Sequence, residues 1–185
     1  MQQMEYCYFP VRESELKAEI QYTSLHEEQV IQVGSATVTN ILMNHPVLDF
    51  GYKVECEGKK VFFSGDHEPP YNIYDPDDEF YEEYNGLINQ KNQIIMDFIN
   101  KVDVLIMDSY YTNEEYPTKK GWGHGTFDTC IDMAKKAGVG SLYLTHHEPT
   151  RSDEDLDSIY NKILSENNQQ GPKIFLAQEG LEIEI

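Results

Sequence analysis

The most informative segment of this chain is Val61-Phe62-Phe63-Ser64-Gly65-Asp66-His67-Glu68. Its apolar start predicts a short strand over 60–64, and Gly65 lets the backbone turn sharply where that strand ends. Asp66 follows at once, in the place where α/β sheets collect their functional side chains. An aspartate held there can bridge two cations with its two oxygens. Turn-forming aspartates are equally common without a metal, so this segment alone identifies no site.

The sequence around this segment changes from consecutive strands to alternating strands and helices. Alternating apolar residues predict strands over 30–33, 36–43 and 51–56, with Glu57-Gly58 as the hairpin turn before 60–64. Helical spacing, with Thr126 and Ser152 as caps of the last two, predicts helices over 85–100, 127–137 and 153–166. Further strands are predicted over 102–107, 141–145, 173–176 and 181–185. This order predicts an α/β domain with α+β layers, and without a linker or repeat residues 1–185 are expected to form a single domain.

Two histidines repeat the placement of Asp66 at a strand end. His146 follows the strand that ends at Thr145, and His45 follows strand 36–43, with Pro46 holding its backbone extended. Neutral imidazoles bind zinc, manganese and iron. Three candidate ligands, each at a strand end, favour a metal site over three unrelated loop residues.

Acidic side chains dominate the charge of the chain. The 33 Asp and Glu residues outweigh the 14 Lys and Arg residues and give a formal net charge of −19. This charge disfavours nucleic acid and anionic membranes as partners because both would be repelled, and it also serves plain solubility. Three widely spaced cysteines, no signal-peptide pattern and no apolar run of membrane-spanning length lead us to expect a cytoplasmic protein with reduced thiols.

The segments that carry these candidate ligands resemble the motifs of one known superfamily. Asn44-His45-Pro46 is similar to the third metal motif of metallo-β-lactamase-fold hydrolases. Phe62-Phe63-Ser64-Gly65-Asp66 resembles the fourth motif, and Leu142-Tyr143-Leu144-Thr145-His146 resembles the fifth. Within that superfamily the chain most resembles the phosphodiesterase branch that includes ribonuclease Z, over nearly its whole length.

Two further segments resemble motifs of that branch. His124-Gly125-Thr126 is similar to a His-Ser-Thr-like turn, and Met107-Asp108-Ser109 is similar to a strand that ends in an acidic residue. The resemblance implies a catalytic pair in which His124, oriented by Asp108, protonates the leaving oxygen. Asp108 stands where glutamate is usual and Gly125 where serine is usual, which weakens the match to the transfer-RNA enzyme.

The superfamily signature H-x-H-x-D-H, which supplies four ligands from the N-terminal half, does not occur in these 185 residues. We therefore expect the C-terminal half of the αββα metallo-β-lactamase sandwich, with His45, Asp66 and His146 as its metal ligands. By resemblance the complete site holds two divalent ions, zinc first, with manganese or iron as alternatives. Three ligands hold two ions poorly, so we expect this chain alone to have little or no activity.

The resemblance implies a metal-dependent phosphodiesterase that acts on a small-molecule or nucleotide substrate through a metal-activated water. His67 and His147 are candidates for substrate contacts or for supporting the ligands, and each is equally well explained as a loop residue. Trp122 is a candidate for the wall of a substrate site, although packing of its loop explains it somewhat better. Two alternatives stay open: a truncated, non-catalytic scaffold that binds a partner, and a thioester or lactone hydrolase on the same fold. Because half of a layered sandwich exposes an apolar sheet face, we also expect a homo-oligomer.

Overall fold

Seven strands form one mixed sheet within residues 5–167 and 171–185, the parts of the chain that the computed structural model describes. They are β1 (Val30–Val33), β2 (Ala36–Leu42), β3 (Phe50–Cys56), β4 (Lys59–Phe63), β5 (Val104–Asp108), β6 (Ser141–Thr145) and β7 (Lys173–Leu176). Neighbours in the sheet are also neighbours in sequence. Strands β1 to β4 pair antiparallel, whereas β4 to β7 pair parallel.

Turn chemistry explains the antiparallel half of the sheet. Glu57 and Gly58 have positive φ angles of 51° and 79° between β3 and β4. A two-residue turn with both φ values positive matches the twist of the strands that it joins. The hairpin predicted at this dipeptide is confirmed.

Helical crossovers build the parallel half, as parallel pairing requires. They are α1 (Tyr81–Phe98), α2 (Phe127–Ala137) and α3 (Asp153–Glu166), one between each successive pair of parallel strands. Short 3-10 turns lie at Glu13–Glu15 and Tyr116–Thr118. Because β4, β5 and β6 run in the same direction, the segments that follow them converge on one edge of the sheet. Among the helices of the described chain, none combines the length and hydropathy needed to cross a membrane.

The helix predictions hold best where caps mark the ends. Helices α2 and α3 have the predicted bounds, and both begin with a capping box. Helix α1 begins at Tyr81, four residues before the predicted start, because Glu82 and Glu83 favour the positive end of a helix over the loop predicted there. The strand predicted over 181–185 is wrong, since this exposed segment forms no ladder with any strand within residues 5–167 and 171–185.

The helices cover one face of the sheet. Leu105 and Leu142 are fully buried there against Ile95 of α1 and Ala134 of α2. The opposite face carries a row of side chains in register across β3 to β7: Tyr52, Phe63, Ile106, Tyr143 and Phe175. Phe63 in this row is 47% exposed. The helix-covered face therefore holds the core, and the other face keeps apolar area open to solvent.

Candidate metal centre

Five segments bring candidate ligands to the edge where the parallel strands end. Asp66 follows β4, Asp108 is the last residue of β5, and His146 follows β6. His124 precedes α2, and His45 follows β2. Ligand atoms of Asp66, Asp108, His124 and His146 all lie within 4.8 Å of one another. Asp66 and His146 thus lie where the strands predicted from sequence end, although no local pattern showed how close they would come to Asp108 and His124.

Asp66 is turned toward this cluster by the loop before β3. Gly65 has a φ of 62°, and a β-carbon at this position would lie 2.4 Å from Oδ2 of Asp49. The same Asp49 oxygen accepts a hydrogen bond from the Asp66 amide at 2.6 Å. One Asp66 oxygen then lies 3.0 Å from Nδ1 of His146, and the other lies 3.7 Å from Nε2 of His45. The two carboxylate oxygens of Asp66 therefore face different histidines, which is the arrangement that a bridging metal ligand requires.

Asp108 occupies the buried centre of the cluster. Its side chain is fully buried, and Oδ2 accepts a hydrogen bond from the His67 amide at 3.0 Å and lies 2.8 Å from Nδ1 of His124. The other oxygen, Oδ1, has no hydrogen-bond partner among the described residues and lies 3.6 Å from Nδ1 of His146. A buried carboxylate oxygen without a partner is costly unless a cation or water meets it. Two histidines and two carboxylates around such an atom fit a divalent metal ion.

His146 shows both backbone strain and an electrostatic shift. Its φ of 57° lies in the left-handed region, which is uncommon for a residue with a β-carbon and is found most often at functional sites. Interaction with the Asp108 carboxylate raises the pKa of His146 despite partial burial, and the charges of Asp66 and Asp49 act in the same direction. The acidic surroundings thus stabilise positive charge at this position.

His45 lies next to the four-residue cluster. Its Nδ1 contacts the backbone of Val47, which leaves Nε2 facing Asp66. Gly123 packs against the ring so closely that a β-carbon there would lie 2.2 Å from Cδ2 of His45. The His45 ring is therefore held between its own loop and the loop that carries His124.

His124 belongs to the four-residue cluster and also lines a neighbouring cleft. Its ring stacks on Tyr110 with centroids 4.7 Å apart and an interplanar angle of 19°. The cleft beside it has a volume of about 320 Å³ and is lined by aromatic, charged and hydroxyl side chains, including Tyr110, Tyr111, Lys119, Trp122 and Thr150. Trp122 is 59% exposed, and Nζ of Lys119 lies 4.3 Å above its ring. A planar group has room here next to His124.

Comparison with known proteins identifies the family. Residues 4–147 match the model of the beta-lactamase superfamily domain. The chain belongs to this superfamily. It is 29% identical over 122 residues to a ribonuclease Z of Brevibacillus brevis and 25% identical over 174 residues to a ribonuclease Z of Agathobacter rectalis. These alignments cover 66% and 78% of this chain but only 31% and 57% of the relatives, so the chain spans little more than half of either at most.

Solved structures show the same fold. A metallo-beta-lactamase fold protein from Bacillus subtilis superposes with a TM-score of 0.58 at 18% identity, covering 85% of this chain and 53% of that protein. The short form of human tRNase Z gives 0.54 at 17% identity, with 84% and 45% covered. A diphosphatase of the PhnP family gives 0.57 at 17% identity, with 99% and 53% covered. The expected superfamily and its α/β fold are confirmed.

Two histidines that the sequence offered as substrate or supporting residues are shielded from solvent to different degrees, since His67 is buried and His147 is partly buried. His67 is 1% exposed, its Nδ1 accepts a hydrogen bond from the Asn44 amide, and burial, with the charge of Lys91, lowers its pKa to about 4. His147 stacks on Phe127 at 5.9 Å, and burial lowers its pKa. Because His67 is buried, it cannot contact a substrate. It packs behind the candidate ligands instead. Trp122, by contrast, lines the open cleft.

Two acidic residues of this superfamily member escaped the sequence analysis. Asp49 orients Asp66, and Glu68 binds the loop before His124. No sequence motif around Asp49 or Glu68 predicts these hydrogen bonds. For Glu68, the only indication in the sequence is that it lies two residues after Asp66.

Proposed function

We propose that this chain supplies part of the metal site of a hydrolase that cleaves phosphodiester bonds in a small or nucleotide substrate. The observation that carries the proposal is the buried carboxylate of Asp108, one oxygen of which has no hydrogen-bond partner in the described parts of the chain and faces the same space as Asp66 and His146. Membership of the beta-lactamase superfamily supports hydrolysis as the reaction class. The names of the two curated relatives support a phosphodiester as the bond.

His45, Asp66 and His146 are the proposed metal ligands, and the fully buried Asp108 adds an oxygen at the same place. Two divalent cations, zinc first with manganese or iron as alternatives, would supply an activated water and stabilise charge on the phosphoryl oxygens. The mixed histidine and carboxylate donors fit any of these metals. Asp66, held by Asp49, provides one oxygen toward each histidine.

His124 is the proposed general acid. Because Asp108 accepts a hydrogen bond at Nδ1, the ring is oriented and its Nε2 is left for a leaving oxygen. A positioned acid of this kind contributes about 10²- to 10⁴-fold to a rate.

Trp122 is the proposed substrate contact. Its exposed ring beside His124 offers a stacking surface for a planar group on the leaving side of the phosphodiester. The names of the ribonuclease Z relatives also favour RNA as a substrate, whereas the net charge of −19 opposes a long polyanion. We therefore place small nucleotide phosphodiesters first and RNA second. We also propose self-association through the exposed sheet face.

Metal titration of this chain tests the site without requiring turnover. We expect zinc or manganese binding by calorimetry, and His146→Ala should weaken it by more than about 100-fold, since even residues supporting a ligand cost about 10- to 100-fold. His26→Ala is the matched control, because His26 is exposed and lies outside the cluster. Equal binding by both variants would remove His146 from the site.

A substrate panel tests the reaction. The complete protein, assayed with a chromogenic phosphodiester, a dinucleotide, a transfer RNA precursor and a lactone, should turn over the first two fastest. The 185-residue chain alone should show little or no turnover. Preference for the lactone would overturn the phosphodiesterase proposal, and loss-free turnover in His146→Ala would overturn the metal mechanism.

A further inference from the structure

Glu68 is a buried carboxylate that the proposed chemistry does not use. The residue is 2% exposed and directly follows the Asp66-His67 pair. One carboxylate oxygen accepts a hydrogen bond from the Tyr116 hydroxyl at 2.6 Å and from the Gly121 amide at 2.8 Å. The other accepts from the Gly123 amide at 2.9 Å. Every one of these partners is a donor, so the site requires an acceptor on both oxygens.

The donors belong to one loop, residues 116–124. Gly121 and Gly123 have φ angles of 89° and 96°, a conformation that residues with a β-carbon rarely adopt. These backbone angles allow the two amides that flank Trp122 to reach the same carboxylate. Glu68 therefore holds the backbone on both sides of Trp122 and immediately before His124.

The backbone of Glu68 binds a second loop. Its amide donates to the Asn44 carbonyl at 2.9 Å, and its own carbonyl accepts from Nδ2 of Asn44 at 2.7 Å. Asn44 immediately precedes His45. Glu68 thus ties the His45 loop with its main chain and the His124 loop with its side chain.

The two loops that Glu68 joins are in contact. Gly123 lies against His45 and Pro46, where a β-carbon would come within 2.2 Å and 2.5 Å of their side chains. Because there is no space between the loops, a shift of one displaces the other. The position of Glu68 thereby bears on a metal ligand and on the proposed general acid together.

We propose that Glu68 is a positioning residue that fixes loop 116–124 against the His45 loop and so sets where Trp122 and His124 stand relative to the metal ligands. Its effect on catalysis rests on the proposed function, but its effect on the loop does not. Replacing the carboxylate by an amide keeps the size and turns one acceptor into a donor facing another donor. Hydrogen bonds to a buried carboxylate are among the strongest in proteins, so this mismatch should release the loop.

The sequence contains a single tryptophan, Trp122, which makes the loop directly observable. Time-resolved fluorescence anisotropy of this chain should show a larger amplitude of fast local motion in Glu68→Gln than in the wild type. Glu114→Gln is the matched control, because Glu114 lies in the preceding segment with its side chain 76% exposed. Tyr116→Phe, which removes one donor and keeps the carboxylate, should give an intermediate change and serves if Glu68→Gln does not fold. Unchanged Trp122 motion in both Glu68→Gln and Tyr116→Phe, with circular dichroism intact, would overturn the proposal.

Kinetics of the complete protein separate positioning from a general loss of structure. Glu68→Gln should lower kcat by about 10- to 100-fold, because small misplacements of catalytic groups cost this much. Zinc affinity should fall by less than in His146→Ala, since Asp66 and His146 keep their places and only His45 shifts with its loop. A released loop in a protein without hydrolase activity would refute the proposed function and leave the positioning role standing. A loop that stays fixed in an active hydrolase would refute only the positioning role.

Discussion

Gly123 lies where the loops that carry His45 and His124 leave no room for a side chain. A β-carbon there would meet His45 at 2.2 Å, and the φ of 96° is itself unfavourable for other residues. Gly123→Ala should therefore displace His45 or the loop before His124. We expect a loss of unfolding free energy of about 1–3 kcal/mol, together with weaker zinc binding. Urea denaturation and zinc calorimetry measure the two effects.

Gly58→Ala separates backbone strain from the clash with His45. Gly58 has a φ of 79° and nothing within 4 Å of the added β-carbon. Its substitution should cost about 1 kcal/mol through strain alone and leave zinc affinity unchanged. If both variants lose zinc binding equally, the close approach at His45 has no role in the site.

Helices α2 and α3 both begin with a capping box, but the two boxes lie at different distances from the candidate metal centre. The Thr126 side chain accepts a hydrogen bond from the Thr129 amide, and the Ser152 side chain accepts one from the Asp155 amide. Thr126 follows His124 by two residues, whereas Ser152 begins a helix whose buried side chain contacts the core. The two caps thus share the same local hydrogen-bond pattern, but only the Thr126 cap borders the candidate site.

Removing either cap should lower the unfolding free energy by a similar amount, but only removal of the Thr126 cap should lower turnover. Thr126→Ala and Ser152→Ala should each lower the unfolding free energy by about 1 kcal/mol, the usual value of such a cap. Only Thr126→Ala should also weaken the His124–Asp108 pairing and lower turnover in the complete protein. Thermal denaturation with parallel kinetics measures both. A turnover loss in Ser152→Ala as large as in Thr126→Ala would show that the effect is global stability.

The whole molecule keeps one apolar sheet face open. Phe63 is 47% exposed in a row with Tyr52 and Ile106, and single exposed apolar residues are ordinary whereas contiguous ones mark contacts. We expect sedimentation velocity to show concentration-dependent dimers that Phe63→Lys abolishes. Leu164→Lys on α3, which is 45% exposed, is the control and should leave the dimers intact. Wild-type protein that stays monomeric at all concentrations would contradict this expectation.

Sequence reasoning succeeded where the determining interactions are local. The bounds of α2 and α3 follow from caps that act within three residues, and Asp66 and His146 follow from strands that end beside them. The contacts of Asp49 and Glu68 span 17 and 55 residues, so only tertiary structure reveals them. The segment 181–185 has the alternation of a strand but pairs with none of the seven strands in the described parts of the chain, and alternation alone does not make a ladder.

The sequential strand order has a consequence for folding kinetics. His45 and Asp66 come from the antiparallel half of the sheet, whereas Asp108, His124 and His146 come from the parallel half. The halves join at the β4–β5 ladder, which has three residue pairs and is closed by the α1 crossover. Hairpin pairings close short loops and form early, while this ladder closes a long one and forms late. The rate at which the refolding chain acquires zinc affinity would therefore report the docking of the parallel strands onto hairpins that have already formed.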